Sequence, residues 1–468
     1  MAHAGAQHVV RSIRTRSIPF SRRSTAAVTF SSMSAARIVV VGTGYVGLTT
    51  GACLAGLGHR VTCVDVDQAK VARLSAGRVD ILEPGLSELV SRGLTSGRLN
   101  FVVGARDAVR DAEAVFLCVP TPMGAGGSAD LRAVEAVTTE IGDVIPAGCA
   151  LITKSTVPVG TSKRIQAMLG RTDVPVVSNP EFLREGTAVE DFLGPDRIVV
   201  GSDDVAAARW VGDLYADLAA PVVVADAASA ELVKYAANCF LAMKLSYVNS
   251  IAELCERLGA DIDLVTEGMG YDRRIGRSFL KPGPGWGGSC LPKDTSALVR
   301  VAESVQYDFT LLTSAIEENI AQRDRIVAKI AGAVGGTLAG SRIGLLGLAF
   351  KAGTNDLRDS PALAVASVLG ALGAELTAYD PAIGGQLAGM TVVDDPYQVA
   401  KAADAVVVLT EWDEFKRLDW HYMAEQMDGD SVVDTRNLLE PRQILDAGLS
   451  WQGVGRPRAA LRRKVAVS

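Results

Sequence analysis

The chain has 468 residues, a formal net charge of −6, 48% hydrophobic residues and 21% charged residues. That composition is typical of a soluble globular protein, and the length predicts two or three domains rather than one core. The acidic balance, with no basic stripe in the folded part, argues against a dedicated nucleic-acid binder. No apolar run reaches the ~18 residues that indicate a membrane span.

The positions of the cysteine and histidine residues limit which catalytic mechanisms and metal sites are expected. The seven cysteines are scattered and include no CxxC pair, which indicates reduced thiols in a cytoplasmic protein and predicts no metal site. None of the four histidines lies between residues 60 and 420. An enzyme with its centre in that span must use carboxylate, Lys, Cys or water for acid–base work, so a histidine-based mechanism is not expected.

The two ends of the chain differ from the middle. Residues 1–35 contain five arginines and no acidic residue. They fit a targeting peptide or an extension upstream of Met33, and we expect them to be disordered in either case. Residues 456–468 are basic, and we expect a flexible tail.

A dinucleotide-binding pattern begins at residue 36. An apolar strand over 36–41 leads into G-T-G-Y-V-G at 42–47, then into a helix and a second strand that ends in Asp65. Glycines at this turn and the N-terminus of the helix suit a pyrophosphate. The Asp65 carboxylate suits a ribose and repels a 2′-phosphate, so the sequence predicts NAD rather than NADP.

Further apolar strands are predicted within 111–122 and 150–160, and they end in Thr121, Ser155 and Thr156. Ligands of doubly wound sheets bind beyond the carboxyl ends of the strands, so these hydroxyls are expected to touch a cofactor, or else to cap the following helices. After the next strand come Glu181 and Glu185, which a short helix would place on one face.

The middle of the chain predicts one long helix over 229–258, because this stretch is free of Gly and Pro. It is apolar on most sides, which implies burial between domains or subunits, and it places Lys234 and Asn238 on one face. Arg274 and Lys281 then lead into P-G-P-G-W-G-G-S-C-L-P-K-D at 282–294. Its cations and glycines suit a phosphorylated ligand. Cys290 is interpreted as a nucleophile or, alternatively, as a buried cysteine after a turn.

The strand pattern returns after residue 334. Residues 342–351, 374–382 and 402–413 repeat the first three strands, but without the phosphate fingerprint. We therefore predict an α/β fold of two Rossmann-like, doubly wound parallel-sheet domains joined by a long central helix. The predicted domains are 36–228, which binds NAD, 229–330, which is helical, and 331–455, which binds a phosphorylated ligand. Lys351 and Arg358 lie just after the first turn of this last domain, and Arg436 lies at the end of its sheet.

The motifs GTGYVG, KSTVPVGT, NPEFLREG, ELVKYAANCFLAMKLSYVNS, GWGGSCLPKD and GLAFKAGTNDLRDS together resemble those of the UDP-glucose/GDP-mannose dehydrogenase family over residues 36 to about 440. The resemblance implies NAD-dependent, four-electron oxidation of UDP-glucose at C6. It implies that Cys290 is the nucleophile and that Lys234 and Asn238 stabilise oxyanions. Asp294 with Thr156 would position a water, and Glu181 would assist thioester hydrolysis.

The resemblance also implies two binding sites and an assembly. Its cofactor residues are Gly42, Gly44, Tyr45, Val46, Gly47, Asp65, Lys70, Thr121, Ser155, Glu185, Lys293 and Arg358. Its substrate residues are Glu181, Phe182, Leu183, Arg184, Glu185, Lys234, Asn238, Arg274, Lys281, Gly285, Trp286, Gly287, Phe350, Lys351 and Arg436. The 229–258 helix would form a homodimer or higher homo-oligomer, in which Arg274 reaches the neighbouring site.

Three alternatives remain open at this point. The same chemistry could act on GDP-mannose or a UDP-N-acetylhexosamine, since selectivity lies in pocket shape. A two-electron dehydrogenase would carry Cys290 as an inert packed residue. A non-catalytic NAD-binding scaffold would dimerise through the long helix without consuming NAD.

Overall fold

The computed structural model describes residues 35–458. The predicted leader and most of the predicted tail lie outside the described residues. The first residue assigned to the tail is packed in place, because the Arg456 guanidinium pairs with Asp263 at 3.3 Å. The preceding Gly455 O accepts a hydrogen bond from Ile262 N at 2.8 Å. Arg456 also lies over the Trp451 ring, 4.9 Å from its centroid. The packed chain therefore continues past residue 455.

The first sheet of the described residues has the strand order β3-β2-β1-β4-β5-β6-β7-β8. Its strands are β1 Arg37–Val41, β2 Arg60–Asp65, β3 Leu99–Val103, β4 Ala114–Leu117, β5 Ala150–Thr153, β6 Val176–Ser178, β7 Ile198–Gly201 and β8 Val222–Ala225. Its neighbouring strands run parallel except β6 and β7. The strand order changes direction at β1, because β2 follows on one side of it and β4 lies on the other. At such a point the connections lead away in opposite directions and leave a crevice for a ligand.

Helices cover both faces of this sheet, which is why β4 and β5 are apolar and buried throughout. They are α1 Tyr45–Gly56, α2 Gln68–Ser75, α3 Leu86–Thr95, α4 Ala105–Ala108, α5 Arg132–Ile141, α6 Thr161–Leu169, α7 Ala188–Leu193 and α8 Val205–Asp213. The strand predicted within 111–122 is shorter than its apolar run, because β4 ends at Leu117 before the two prolines.

Four helices connect the two sheets: α9 Ala227–Leu258, α10 Ile262–Gly270, α11 Leu291–Ser304 and α12 Thr310–Ala333. The helix α9 has 32 residues and is about 48 Å long. Asp226 caps its start by accepting a hydrogen bond from Ser229 N, and Gly259 ends it in the left-handed conformation. Helices α11 and α12 pack against it. The predicted long helix is confirmed, and it begins two residues earlier than expected.

The second sheet of the described residues is parallel throughout, in the order β11-β10-β9-β12-β13-β14. Its strands are β9 Arg342–Leu346, β10 Glu375–Tyr379, β11 Thr391–Val392, β12 Ala405–Val408, β13 Ser431–Asp434 and β14 Ser450–Gln452. Around it lie α13 Pro361–Ala371, α14 Trp420–Gln426 and α15 Pro441–Asp446. Short 3₁₀ helices span Ala125–Gly127, Pro396–Ala400 and Asp413–Arg417.

The two largely parallel sheets, with α9 between them, confirm the predicted fold class. Within residues 35–458, no helix combines the length and the apolar character needed to cross a bilayer.

Candidate active site

The glycine-rich loop 282–289 is held by polar side chains of α9 and α12. Asn249 Oδ1 accepts a hydrogen bond from Gly283 N at 2.9 Å, and Gln322 Nε2 donates to Gly283 O at 2.8 Å. Asn319 accepts from Trp286 N at 2.8 Å and donates to Trp286 O at 2.9 Å. A loop rich in Gly and Pro cannot satisfy its own backbone groups, so buried side chains do this and fix its path.

Two glycines let this loop approach the second sheet. A Cβ at Gly287 would overlap the carbonyl oxygen of Asp359, and one at Gly288 would lie 2.7 Å from the Phe350 ring. Gly288 also has a φ of +81°, which L side chains rarely adopt. The glycines therefore bring the loop against the elements that carry Phe350 and Asp359.

Cys290 lies at the N-cap of α11, where the loop ends. Its side chain is only partly buried, whereas the other six cysteines are buried, and all seven are unpaired. Burial raises the pKa of the Cys290 thiol, and the nearby Lys234 ammonium opposes that shift. The Ser289 hydroxyl lies 3.6 Å from Cys290 Sγ. Among the seven cysteines, Cys290 is thus the one that is not fully buried and whose pKa is lowered by Lys234, which are features of a nucleophilic cysteine.

A buried ion pair stands next to this thiol. Lys234 Nζ lies 2.8 Å from Glu181 Oε1, and the two side chains are 4% and 5% exposed. Burial by itself lowers the pKa of Lys234, but Glu181, followed by Cys290 and Asp294, raises the net pKa above its ordinary value. Burial likewise raises the pKa of Glu181, but the charge of Lys234 outweighs it and lowers the net value. Both groups are therefore charged at neutral pH.

Asp294 completes the cluster from the first turn of α11. Its fully buried carboxylate accepts from Asn238 Nδ2 at 2.6 Å and from Lys293 Nζ at 2.6 Å. Asn238 is one turn beyond Lys234 on α9, as predicted, and both side chains face this cluster. An ammonium, an amide and a carboxylate thus belong to one buried cluster near the thiol, an arrangement that can stabilise an oxyanion and hold a proton acceptor.

Glu181 and Glu185 do not share a helical face, and that expectation is wrong. Residues 181–184 are irregular, α7 begins only at Ala188, and Leu183 N donates to the Glu181 side chain, at 2.6 Å from Oε2, instead of to a helical carbonyl. Glu181 is directed at Lys234, as described above. Glu185 accepts from Ser289 Oγ at 2.9 Å and from Arg358 Nη2 at 3.2 Å, so it joins the cysteine loop to the second sheet.

The segment after residue 181 also carries other predicted substrate residues. The Phe182 ring lies 5.6 Å from Lys234 Nζ and 3.6 Å from the Arg197 guanidinium carbon. Arg184 is bound to Asp191, with its Nη2 2.5 Å from Oδ1. Phe182 therefore lines the side of the cluster, whereas Arg184 is committed to an ion pair.

The phosphate turn at 42–47 fits a dinucleotide. A Cβ at Gly47 would overlap the carbonyl oxygen of Gly42, whereas one at Gly44 would meet no described atom within 4 Å. Gly44 is exposed and precedes the first N–H groups of α1. The turn is therefore closed on its inner side and open on the side from which a phosphate would approach.

Hydrogen bonds fix the Asp65 carboxylate at the end of β2. Its carboxylate accepts from Thr43 N at 3.0 Å, from the Thr43 hydroxyl and from Lys70 Nζ at 3.1 Å. Although burial acts the other way, these hydrogen bonds, led by that of Thr43, lower the pKa of Asp65 to about 2. The charged acceptor favours a free 2′-hydroxyl over a 2′-phosphate, so the geometry fits NAD.

The predicted hydroxyls at the sheet edge bind strand-end carbonyls rather than capping helices. Ser155 Oγ donates to Val119 O at 2.6 Å, and Thr121 Oγ1 donates to Thr156 O at 2.9 Å. The N-cap of the next helix, α6, is Gly160. These contacts tie together the turns after β4 and β5, at the edge that faces the crevice.

Arg436 links the second sheet to the loop. Its guanidinium donates to Leu409 O at 2.8 Å and to Phe350 O at 3.2 Å, and it pairs with Glu411 at 3.1 Å. A Cβ at Gly283 would lie 3.3 Å from its Nη1.

Lys351 is the second cation at this junction. Its Nζ lies 5.6 Å from the Phe350 ring centroid, and burial lowers the pKa of Lys351. Positive groups therefore line the junction of loop and second sheet.

Two predicted substrate residues stand apart from this cluster. Arg274 is 88% exposed at its side chain and pairs with Asp272, and Lys281 is exposed. Their assignment to a substrate site stays a prediction.

Comparison with known proteins identifies the family of this chain. Three models of the UDP-glucose/GDP-mannose dehydrogenase family match it: the NAD binding domain over residues 36–219, the central domain over 228–321 and the UDP binding domain over 344–441. The chain belongs to this family. The prediction of NAD as the cofactor is confirmed by the first of these matches.

Relatives in the family cover nearly all of the described chain. UDP-glucose 6-dehydrogenase from Rhizobium meliloti is 43% identical over 435 residues, which are 90% of this chain and 100% of that protein. The enzyme of the same name from Pseudomonas aeruginosa is 40% identical, over 90% of this chain and 98% of that protein. A UDP-glucose dehydrogenase structure from Pyrobaculum islandicum has a TM-score of 0.83 at 39% identity, covering 91% of this chain and 98% of that chain.

Some residues of this family member's site were missed by sequence reasoning. Lys154 is buried behind the cluster, where its Nζ donates to Asn179 Oδ1 at 3.0 Å and lies 3.4 Å from the Tyr215 hydroxyl. Asp356 binds Arg358 beside Glu185. Lys154 directly precedes Ser155 at the end of a buried strand, and a lysine at such a position was the available signal. Glu83, described below, had no comparable signal.

Proposed function

We propose that this protein oxidises UDP-glucose at C6 to UDP-glucuronate, consuming two NAD⁺ and one water, with Cys290 as the nucleophile. The observation that carries the proposal is the cluster of Cys290, Lys234, Glu181 and Asp294 described above. It adjoins the carboxyl edge of a sheet that belongs to an NAD binding domain. Relatives that share 40% or more of their residues with the chain bear the name UDP-glucose 6-dehydrogenase.

The first oxidation needs a proton acceptor and a stabiliser of the C6 alkoxide. Lys234 and Asn238 supply the stabilisation, because both present nitrogen donors to this cluster from α9. Asp294, with Thr156, positions a water that accepts the proton. When bound, NAD⁺ supplies a hydride acceptor for each of the two oxidations.

The second oxidation explains the cysteine. An aldehyde has no readily transferred hydride until its carbon becomes tetrahedral. Attack by the Cys290 thiolate forms a thiohemiacetal, whose oxidation gives a thioester. Water then cleaves the thioester with assistance from Glu181, which releases the carboxylate product and regenerates the thiol. A protein that stopped at the aldehyde would have no use for a thiol between a lysine and two carboxylates.

The UDP part of the substrate is assigned to the junction of loop 282–289 with the second sheet. Arg436 and Lys351 bring positive charge to a glycine-rich backbone, and the UDP binding domain of the family covers this sheet. Gly285, Trp286, Gly287 and Phe350 form its walls in this proposal.

We also propose a homodimer through α9. One face of this helix exposes large apolar side chains, including Phe240 at 60%, Tyr247 at 54%, Leu254 at 49% and Leu258 at 78% exposure. Their spacing of seven, seven and four residues is that of one helical stripe. A second copy of the same helix would cover it, and in that assembly Arg274 is proposed to reach the neighbouring site.

The experiment is the molar ratio of NADH formed to UDP-glucose consumed by the full-length protein. A ratio of two supports the four-electron reaction. A ratio of one would make the aldehyde the product and remove the role given to Cys290. Cys290→Ser is the matched variant and should not reach the ratio of two. Parallel assays with GDP-mannose and UDP-N-acetylglucosamine test the choice of sugar nucleotide, because faster turnover of either would replace UDP-glucose as the substrate.

A further inference from the structure

A buried carboxylate joins the phosphate turn to the segment that carries Glu181 and Glu185. Glu83 lies in the connection between α2 and α3 and is 6% exposed. The Tyr45 hydroxyl, at the first position of α1, donates to Glu83 Oε2. Gly186 N lies 2.8 Å from the same oxygen and 2.7 Å from the Tyr45 hydroxyl. Val189 N donates to Glu83 Oε1 at 3.3 Å.

Among the described residues, the hydrogen bonds to this carboxylate come from two places to which the proposed function assigns different ligands. Tyr45 lies within the dinucleotide turn, between Gly44 and Gly47. Gly186 directly follows Glu185, which accepts from Ser289 next to the nucleophile. Burial and the hydrogen bond to Glu83 raise the pKa of the Tyr45 hydroxyl, so Tyr45 remains a donor at neutral pH. A shift of the turn is therefore passed through two hydrogen bonds to the backbone of residue 186.

The backbone at residue 186 has little space in which to move. Gly186 has a φ of +84°, and a Cβ there would lie 2.9 Å from Gly353 O, so its backbone is packed against the second sheet. Movement at residue 186 consequently reaches both Glu185 and the elements around Gly353.

We propose that Glu83 is a positioning residue that couples the cofactor turn at 42–47 to the substrate-side segment 181–189. Occupancy of the turn by a dinucleotide orders Tyr45, Glu83 then holds Gly186 and Val189, and the Glu181 and Glu185 carboxylates are set for the sugar. The inference deepens the proposed function, because that segment carries two of its residues, but its test needs only a nicotinamide dinucleotide.

The test is hydrogen–deuterium exchange of the full-length protein with and without saturating NADH. Glu83→Gln keeps the shape of the side chain. However, both carboxylate oxygens accept hydrogen bonds, so the amide nitrogen must face a donor. Tyr45→Phe removes a single hydroxyl and serves as the milder variant. Glu88→Gln is the matched control, since Glu88 lies on α3 close by and is exposed.

In the wild type and in Glu88→Gln, NADH should slow exchange both at 42–47 and at 185–190. In Glu83→Gln the protection at 42–47 should persist, while the NADH-induced protection at 185–190 falls by about fivefold or more, the lower end of ordinary coupling factors. Tyr45→Phe should reduce the protection at 185–190 by a smaller factor. Protection at 185–190 that survives Glu83→Gln unchanged would overturn the coupling, as would its absence in the wild type. A failure of UDP-glucose to be oxidised would leave these outcomes unaffected.

Discussion

Lys234 Nζ and Glu181 Oε1 are 2.8 Å apart in an environment where both side chains are almost wholly buried. The two residues come from different elements, α9 and the turn after β6, and their charges act in opposite directions on the thiol of Cys290. Lys234 lowers the pKa of that thiol, whereas Glu181 raises it. The pair therefore modulates the amount of thiolate that burial, the largest influence on this pKa, leaves at a given pH.

The reactivity of Cys290 should change in opposite directions when either partner is neutralised. Lys234→Met is expected to slow alkylation of Cys290 by iodoacetamide at pH 8 by about tenfold, since one pKa unit changes the thiolate fraction tenfold. Glu181→Gln should accelerate it. Mass spectrometry of the Cys290 peptide measures both rates. Equal effects of the two substitutions would contradict the electrostatic account.

The pH dependence of the same reaction follows from the sign of the shift. Because burial holds the pKa of Cys290 above its ordinary value, the thiolate is a minor species at neutral pH. Alkylation of the wild-type protein should therefore rise by about tenfold per pH unit from 7 to 8.5. A plateau below pH 8 would show that Lys234 dominates over burial.

Lys154 should make stability increase with pH. Burial lowers the pKa of Lys154 from 10.5 to about 8, so the unfolded chain binds more protons between these two values. The charged form is disfavoured in the fold, and the penalty is present below pH 8 and lost as the pH rises toward 10.5. Relative to Lys154→Met, the wild type should gain about 2 kcal/mol of unfolding free energy between pH 7.5 and 10. Urea unfolding of both proteins at each pH measures the difference. Because both proteins contain the same buried cysteines, subtracting one value from the other removes the contribution of these thiols.

Two glycines of the phosphate turn should respond differently to alanine. Gly44→Ala adds a methyl group in open space at a φ of −67°, so the melting temperature should stay within a few degrees of the wild type while NADH binding weakens by about tenfold or more. Gly47→Ala should lower the melting temperature as well, because its methyl group would overlap the Gly42 carbonyl. Differential scanning fluorimetry and NADH fluorescence titration separate the two effects. Unchanged NADH affinity in Gly44→Ala would mean that this face does not receive the phosphates.

The proposed dimer predicts a change of mass. Phe240→Asp places a charge in the exposed apolar stripe of α9 and should convert a dimer into a monomer, as measured by light scattering after size-exclusion chromatography. Leu372→Asp is the control, because Leu372 is 50% exposed at the end of α13 and lies outside the stripe. A wild-type monomer, or a Phe240→Asp dimer, would contradict the assignment.

The sequence alone determined the features that depend on local pattern. The glycines at 42, 44 and 47 with Asp65, the long helix that carries Lys234 and Asn238, and the repeated strands of the second half each encode backbone conformation over a short span. The glycine-rich loop before Cys290 could be recognised for the same reason, whereas the role of Cys290 as a nucleophile rested on the family resemblance.

Only the tertiary structure decided which side chains meet. Glu181 and Glu185, four residues apart, turn to different partners because the chain before α7 is irregular and two separate elements supply Lys234 and Ser289. Glu83 and Lys154 meet their partners across long stretches of chain, at distances set by which strand ends and connections lie side by side. Such pairings depend on how the layers pack, and no local period of the sequence records them.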